Sequence, residues 1–281
     1  MTKIPWTDRT WNPVTGCTKC SPGCENCYAE KLALGKLAGR GGYPVNEPFR
    51  PGTVHADKMD APLHWKKPQK IFVCSMGDLF HEDVPFPIID EVIERIKLTP
   101  HHTYQILTKR PKRAWNYLDS TNARYFPSNT WLGVTVCNQA EADEKIPVLL
   151  QIPATVRFVS VEPMLGEINL GKTEGLPVYW EGTTEKDGLM PMRCGFSRRI
   201  IGYTERKGWV RHSGNIHPYL DWVICGGETG ANARPMNPDW ARALRDQCKE
   251  CGVPFFFKQM TKKQPIPDDL LIWEFPKGGT E

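Results

Sequence analysis

Four of the chain's ten cysteines fall between Cys17 and Cys27, in the run GCTKCSPGCENCYAE (16–30). Cys20, Cys24 and Cys27 are spaced Cys-x3-Cys-x2-Cys, and Cys17 offers a second set, Cys-x6-Cys-x2-Cys, with the same last two members. Thiolates bind soft metals and iron–sulfur clusters. Pro22 and Gly23 let the run bend, so that the sulfurs can surround one centre. Three thiolates around a 4Fe-4S cluster leave one iron open, whereas four make a tetrahedral structural zinc site. Zinc ribbons usually separate two Cys-x2-Cys pairs by a longer stretch, which this run lacks. The spacing favours a cluster, with zinc or a redox disulfide as the alternatives. Of the other cysteines, Cys74, Cys137 and Cys225 lie in apolar runs and read as small core residues. Cys248 and Cys251 form a Cys-x2-Cys at a predicted helix end, where a zinc or redox role stays open, and Cys194 carries no argued role.

A second set of polar residues sits at the ends of apolar runs. Ser75 and Asp78 follow IFVC, and Thr108, Lys109 and Arg110 follow QIL. Thr135 and Asn138 flank the end of LGVTVC, while Ser160 and Glu162 lie within FVSVEP. Glu228 follows Gly226 and Gly227, and Lys258 and Gln259 follow FFF. One polar residue after a strand is an ordinary loop start; recurrence after six strands marks a shared polar mouth. LTKRPKRAW (107–115) is the densest basic stretch, and RRIIGYTERKGWVRH (198–212) interleaves cations with aromatics. Such patterns suit phosphate contacts with base stacking, or else a solvated helix face. Lys109 and Arg110 could instead hold a carboxylate or phosphate of a small substrate. His101 and His102 read as a surface turn.

The elements that carry these residues alternate. IFVCSMGDLF (71–80), TYQILTKR (103–110), NTWLGVTVC (129–137), TVRFVSVEPML (155–165), DWVICGGETG (221–230) and PFFFKQM (254–260) are near-continuous apolar runs, the pattern of parallel strands buried on both faces. A further strand is expected near TWNPV (10–14). Helical periodicity follows at 88–98, at 111–118, at 139–152 with an interruption at Pro147, and at 238–252 with Gly252 as C-cap. Strands alternating with helices imply right-handed βαβ units and an α/β fold, read here as a full or partial (β/α) barrel of TIM type in a single domain over 1–281. A doubly wound sheet is the alternative. Residues 35–68 read as a loop-rich connection, and 171–219 as an inserted subdomain or lid, being too long for an ordinary connection. The chain has 281 residues, a net charge of +4 and 24% charged residues, so it is neither disordered nor strongly basic. It shows no apolar run of membrane-span length and no secretory leader, so reduced thiols in a cytoplasm are expected.

Cys-x3-Cys-x2-Cys after the first strand of a βα barrel resembles the radical S-adenosylmethionine (SAM) arrangement. The wider set WTDRTWNPVTGCTKCSPGCENCYAEKLA, MGDLF, LTKRP, SVEPMLG, VICGGETG, ARPM, RDQC and GVPFFFKQ resembles a bacteriophage and prophage family of uncharacterised function grouped with the radical SAM enzymes. The resemblance implies a 4Fe-4S cluster, SAM chelated at the open iron, and a 5′-deoxyadenosyl radical that abstracts hydrogen from the substrate. It also implies a reductant such as flavodoxin or ferredoxin, the host cytoplasm as location, and a substrate in nucleic acid, such as a modified nucleotide of phage DNA. The family form G-C-T-K-x-S-P-G-C-x-x-C-Y-A favours Cys17, Cys24 and Cys27 as ligands, whereas radical SAM spacing favours Cys20, Cys24 and Cys27. Asn26 stands where most radical SAM motifs place an aromatic, and Tyr28 can supply one. By strand order, the SAM amino group is expected near Ser75 and Asp78, with Ser160, Glu162 and Glu228 as further cofactor contacts. Thr108, Lys109, Thr135 and Lys258 complete the expected cofactor-binding set. A non-enzymatic zinc module for stability or nucleic-acid binding is the competing expectation.

Overall fold

The apolar runs become seven strands: β1 (Arg9–Trp11), β2 (Lys70–Val73), β3 (Thr103–Thr108), β4 (Thr130–Thr135), β5 (Val156–Val161), β6 (Trp222–Gly226) and β7 (Phe255–Gln259). The main helices are α1 (Tyr28–Leu32), α2 (Phe86–Leu98), α3 (Pro111–Ser120), α4 (Gln139–Gln151) and α5 (Pro238–Cys251). The computed structural model describes residues 2, 4–121, 125–172 and 219–276, with the backbone of four short strands between 179 and 211. The expected insertion at 171–219 lies largely outside the described residues; within it, Met190–Arg193 and Ile200–Thr204 pair antiparallel.

Spatial order in the sheet equals chain order, and every neighbouring pair is parallel. A doubly wound sheet must reverse its order at a switch point. This one does not, so it curls in one direction as a half-barrel, the partial form of the expected (β/α) barrel. All seven strands therefore deliver their C-terminal ends to one rim.

The strand period of two sorts the side chains onto two faces. Ile71, Ile106, Val134, Val159, Val223 and Phe257 pack outward in one core with Ile89, Val92, Ile146, Leu149 and Leu244 of the helices. Phe72, Trp131, Phe158, Trp222 and Phe256 form a separate inner cluster with Trp6. Burying one such ring contributes about 1.5–3 kcal/mol. Trp222 sits among edge-on aromatic neighbours, with ring centroids 5.8 Å from Trp131 and 6.0 Å from Phe256. Toward the rim the same face of the strands carries Leu107, Thr135, Ser160, Gly226 and Lys258, with Thr135 opposite Ser160 in the ladder. The concave side thus has an aromatic floor and a polar upper layer.

Two expectations change. Helix α4 runs through Pro147 without interruption. Proline removes one backbone hydrogen bond and costs roughly 3 kcal/mol in a helix interior. Here Ile146, Leu149 and Leu150 are all buried against the sheet, which offsets that loss. His102 is no surface residue: it is 1% exposed, under Trp65 and Tyr104, while His101 stays outside. Cys74, Cys137 and Cys225 are buried as expected, and Cys248 is a buried free thiol in the outer core, not half of a Cys248–Cys251 disulfide.

The last strand is covered by chain. Phe257 donates its N–H to the Ile272 carbonyl at 2.8 Å, Glu274 donates to that of Phe255 at 3.1 Å, and the Trp222 indole donates to the Glu274 carbonyl at 2.8 Å. No described helix is long and apolar enough to cross a membrane.

Gly133 lies opposite Phe158 in the β4–β5 ladder, and a Cβ there would meet the ring at 2.4 Å. Gly133→Ala is expected to lower unfolding stability by about 1–3 kcal/mol through overpacking. A denaturation midpoint equal to wild type would contradict the tight inner face.

Candidate functional site

The cysteine run leaves β1 and crosses the rim. Asn12, just past β1, accepts at Oδ1 from Ser75 Oγ at 3.2 Å and from the Met76 N–H at 3.0 Å, tying the exits of β1 and β2 together. Thr18 Oγ1 accepts from Arg110 Nη2 at 3.0 Å and pairs with His81 Nε2 at 2.8 Å. His81 Nδ1 accepts the Asp83 N–H at 3.0 Å, which assigns the ring proton to Nε2 and makes His81 the donor to Thr18. Ser21 accepts from the Gly23 N–H at 3.1 Å and opens a single 3-10 turn over Pro22–Cys24. Gly23 presses on Cys137 and Pro163, where a Cβ would meet Cys137 Sγ at 2.4 Å. The run therefore touches the loops after β2, β3, β4 and β5.

A fifth contact is the tightest. Arg234, after β6, donates to both oxygens of the Glu228 carboxylate, at 2.6 and 3.1 Å, and also reaches Glu25 at 2.8 Å and the Pro22 carbonyl at 2.9 Å. Asn26 Nδ2 donates to Glu228 at 3.0 Å. Burial raises the carboxyl of Glu228, but the Arg234 guanidinium and N–H with the Asn26 amide outweigh it, and the group lies below its ordinary value of 4.5. Asn26 is thus a strut to the Gly-Gly-Glu loop.

Asp78 does similar work on the other side. Its carboxylate, 4% exposed, accepts from the Phe80 N–H, Thr108 Oγ1, the Lys109 N–H and Arg110 Nη1 at 2.8–3.3 Å. Arg110 is then aimed at Glu82 at 2.8 Å, at Cys17 Sγ at 3.4 Å and at the Thr18 carbonyl at 3.2 Å. Asp78, Thr108 and Glu228 are occupied inside the protein, and Thr108 packs on the outer side. Thr135 and Ser160 lie on the inner face, 2% and 1% exposed. Glu162 pairs with Lys258 at 2.5 Å and accepts from Gln259 at 3.3 Å. Ser75 is buried, and its carbonyl accepts from the Tyr28 hydroxyl.

The four thiols differ in setting. Cys24 is buried, Cys17 and Cys27 half-buried, and Cys20 exposed. Contact with the Cys20 thiol and the nearby Lys109 ammonium hold the Cys24 thiol below its ordinary value, against the effect of burial. Burial and the Asp78 carboxylate push the Cys17 thiol up to about 11, in spite of Arg110. Burial opposes charge on Lys109, yet the sulfurs of Cys24, Cys137 and Cys27 and the Asp78 carboxylate keep it above the ordinary lysine value. Soft donors on one loop, over an open rim and beside a cation, are a chemical fit to an anionic thiolate-bound cluster. Among the described residues no three His, Cys, Asp or Glu side chains stand close enough together to hold a single ion.

The model of a family described as proteins of unknown function, DUF5131, matches residues 1–267. The chain belongs to the DUF5131 family. That match takes in the cysteine run, all seven strands and every residue of the rim described above. No curated protein and no solved structure matches the chain.

Sequence reasoning did not single out Asn12, Thr18, His81 or Arg234 as site residues. Asn12 and Thr18 lay within the first quoted motif and Arg234 within ARPM, six residues beyond the Gly-Gly-Glu, while His81 had no such signal. Glu228→Gln should cost on the order of 1–3 kcal/mol at neutral pH, because it weakens a buried, charge-assisted contact. Since folding lowers the carboxyl's value, this stabilisation is complete above 4.5 and fades as the pH falls through the lowered value. The difference in thermal midpoint between wild type and Glu228→Gln should therefore shrink on acidification below 4.5. A pH-independent difference would count against the ion pair as the latch.

Proposed function

We propose that the chain is a radical SAM enzyme acting on nucleic acid or a modified nucleotide. The observation that carries this reading is the course of the cysteine run. It leaves the first strand of a parallel half-barrel and rests on the loops after the next five, at the rim where barrel enzymes place their chemistry. The motif resemblance, the soft donor set and the polar inner layer support the same reading.

Cys24 and Cys27 belong to both ligand sets, and Cys17 is the third ligand in this proposal. Cys17 is half-buried and held by Arg110, whereas Cys20 is exposed. When bound, a 4Fe-4S cluster with one open iron supplies an electron to SAM and so begins hydrogen abstraction from the substrate. The chain's own residues do the rest. Asp78 and Thr108 fix Arg110, and Arg110 fixes the first half of the run. Glu228 and Arg234 fix the second half. Lys258, on the inner face above the aromatic floor, is the residue that would meet SAM, with the buried Thr135 and Ser160 behind it. Lys109 balances negative charge on the sulfurs. The aromatic floor closes the lower barrel to water, which protects a reactive species.

Anaerobic reconstitution tests the reading. About four irons per chain and release of 5′-deoxyadenosine with SAM and reductant are expected. One tightly held zinc without SAM turnover would replace it with the metal-binding module. Ligand choice has its own test: Cys17→Ala should lose the bound iron and Cys20→Ala should keep it. The reverse pattern would assign Cys20, Cys24 and Cys27.

A further inference from the structure

Beside the cysteine run, a cleft of about 390 Å³ opens between the loop after β3 and helix α4. Thr18 and Cys20 form its roof, and its walls carry Lys109, Arg110, Lys112, Arg113 and Lys145 against two carboxylates, Glu82 and Glu144. The carboxylates do not cancel the cations evenly. Glu82 is taken by Arg110 at 2.8 Å, which also faces Asp78 behind the wall. Lys145 is held by Glu141 at 2.6 Å from behind. Lys112 meets Glu144 at 3.4 Å, but both side chains are 60% or more exposed, so this pair contributes little.

Helix α3 starts in the cleft with an arrangement that its own stability does not favour. Lys112 and Arg113 occupy its first turn, no acidic residue does, and Arg110 makes no side-chain cap. Cations at a helix N-terminus oppose the helix dipole; an anion there would be favoured. Arg113 spends its guanidinium on the Phe86 ring at 4.3 Å and on the Val84 and Glu82 carbonyls at 3.1 and 3.3 Å, which leaves Lys112 as the exposed cation of this turn. One helical step on, at i+3 from Lys112, Trp115 is 40% exposed on the same helix face. A basic groove followed by an exposed indole is the combination that holds single-stranded nucleic acid, with phosphates in the groove and a base on the ring.

We propose that this cleft holds the phosphodiester backbone of a single-stranded nucleic acid and that Trp115 stacks on one of its bases, delivering the strand to the rim at Cys20. The proposal rests on the nucleic-acid reading above for its substrate class, but it is tested by binding alone. The probe is a short fluorescein-labelled single-stranded oligonucleotide of mixed sequence, followed by anisotropy over a range of salt concentrations on the purified full chain.

Wild type should bind with a linear dependence of log affinity on log salt. Lys112→Glu should weaken binding about tenfold at low salt and flatten the slope by about 0.7, the share of one phosphate contact on a single strand. Trp115→Ala should weaken binding about tenfold with an unchanged slope, since stacking is not ionic. Lys112 is 70% exposed and Trp115 40%, and an unchanged thermal midpoint would show that the variants fold. Wild-type affinity in both variants would overturn the proposal, as would displacement of the probe by inorganic phosphate at equal phosphate concentration, which would reduce the cleft to a simple anion site. If 5′-deoxyadenosine is formed while the variants bind normally, the cleft assignment fails and the reaction class stands. If the variants lose binding in a protein that holds no iron, the cleft stands and the reaction class fails.

Discussion

Parallel strands laid down in chain order leave no choice about where the connections go. Each strand must be followed by a connection that returns to the same end of the sheet, and every loop that leaves a strand then lands on one rim. The rest of the molecule depends on this constraint. It explains how residues as far apart as Asn12, Asp78, Arg110, Cys137 and Arg234 come to share a small area with one loop. No long-range pairing of the kind seen in antiparallel folds is needed. The cysteine run is only the first of these loops, and it is held by the others.

What holds it is largely charge taken out of water. Asp78 and Glu228 are nearly inaccessible and each accepts several donors, an arginine among them. A buried carboxylate is stable only when so completely satisfied. These two carboxylates are therefore part of the frame. Thr135 and Ser160 are buried as deeply on the inner face, and the Lys258 ammonium is paired with Glu162. A rim whose two buried acids are already committed to arginines offers neither of them to an incoming molecule.

Much of the frame is legible in the amino-acid sequence because burial on both faces forces a continuous apolar run, and a polar residue at its end stands out. The placement of Thr135, Ser160 and Lys258 toward the ends of their strands was readable for this reason. The alternation then says which face each one takes. The roles of Asp78 and Glu228 were not readable, since an acid at a strand end looks the same whether it meets a ligand or an arginine six or thirty-two residues away. Arg234 sits in an irregular loop with no period to reveal it. The bend expected at Pro147 failed because tertiary packing of Ile146 and Leu149 overrides a single lost hydrogen bond. His102 was misplaced because a histidine pair beside a strand has no hydrophobic signature, although one of the two lies inside.

The segment around Ile272 and Glu274 adds a quieter consequence. It occupies the hydrogen-bonding groups on the free side of β7, running antiparallel to a sheet that is otherwise wholly parallel. A further parallel strand cannot dock there without first displacing it. The half-barrel is thus not a circle waiting for its missing arc, but a trough with a sealed flank.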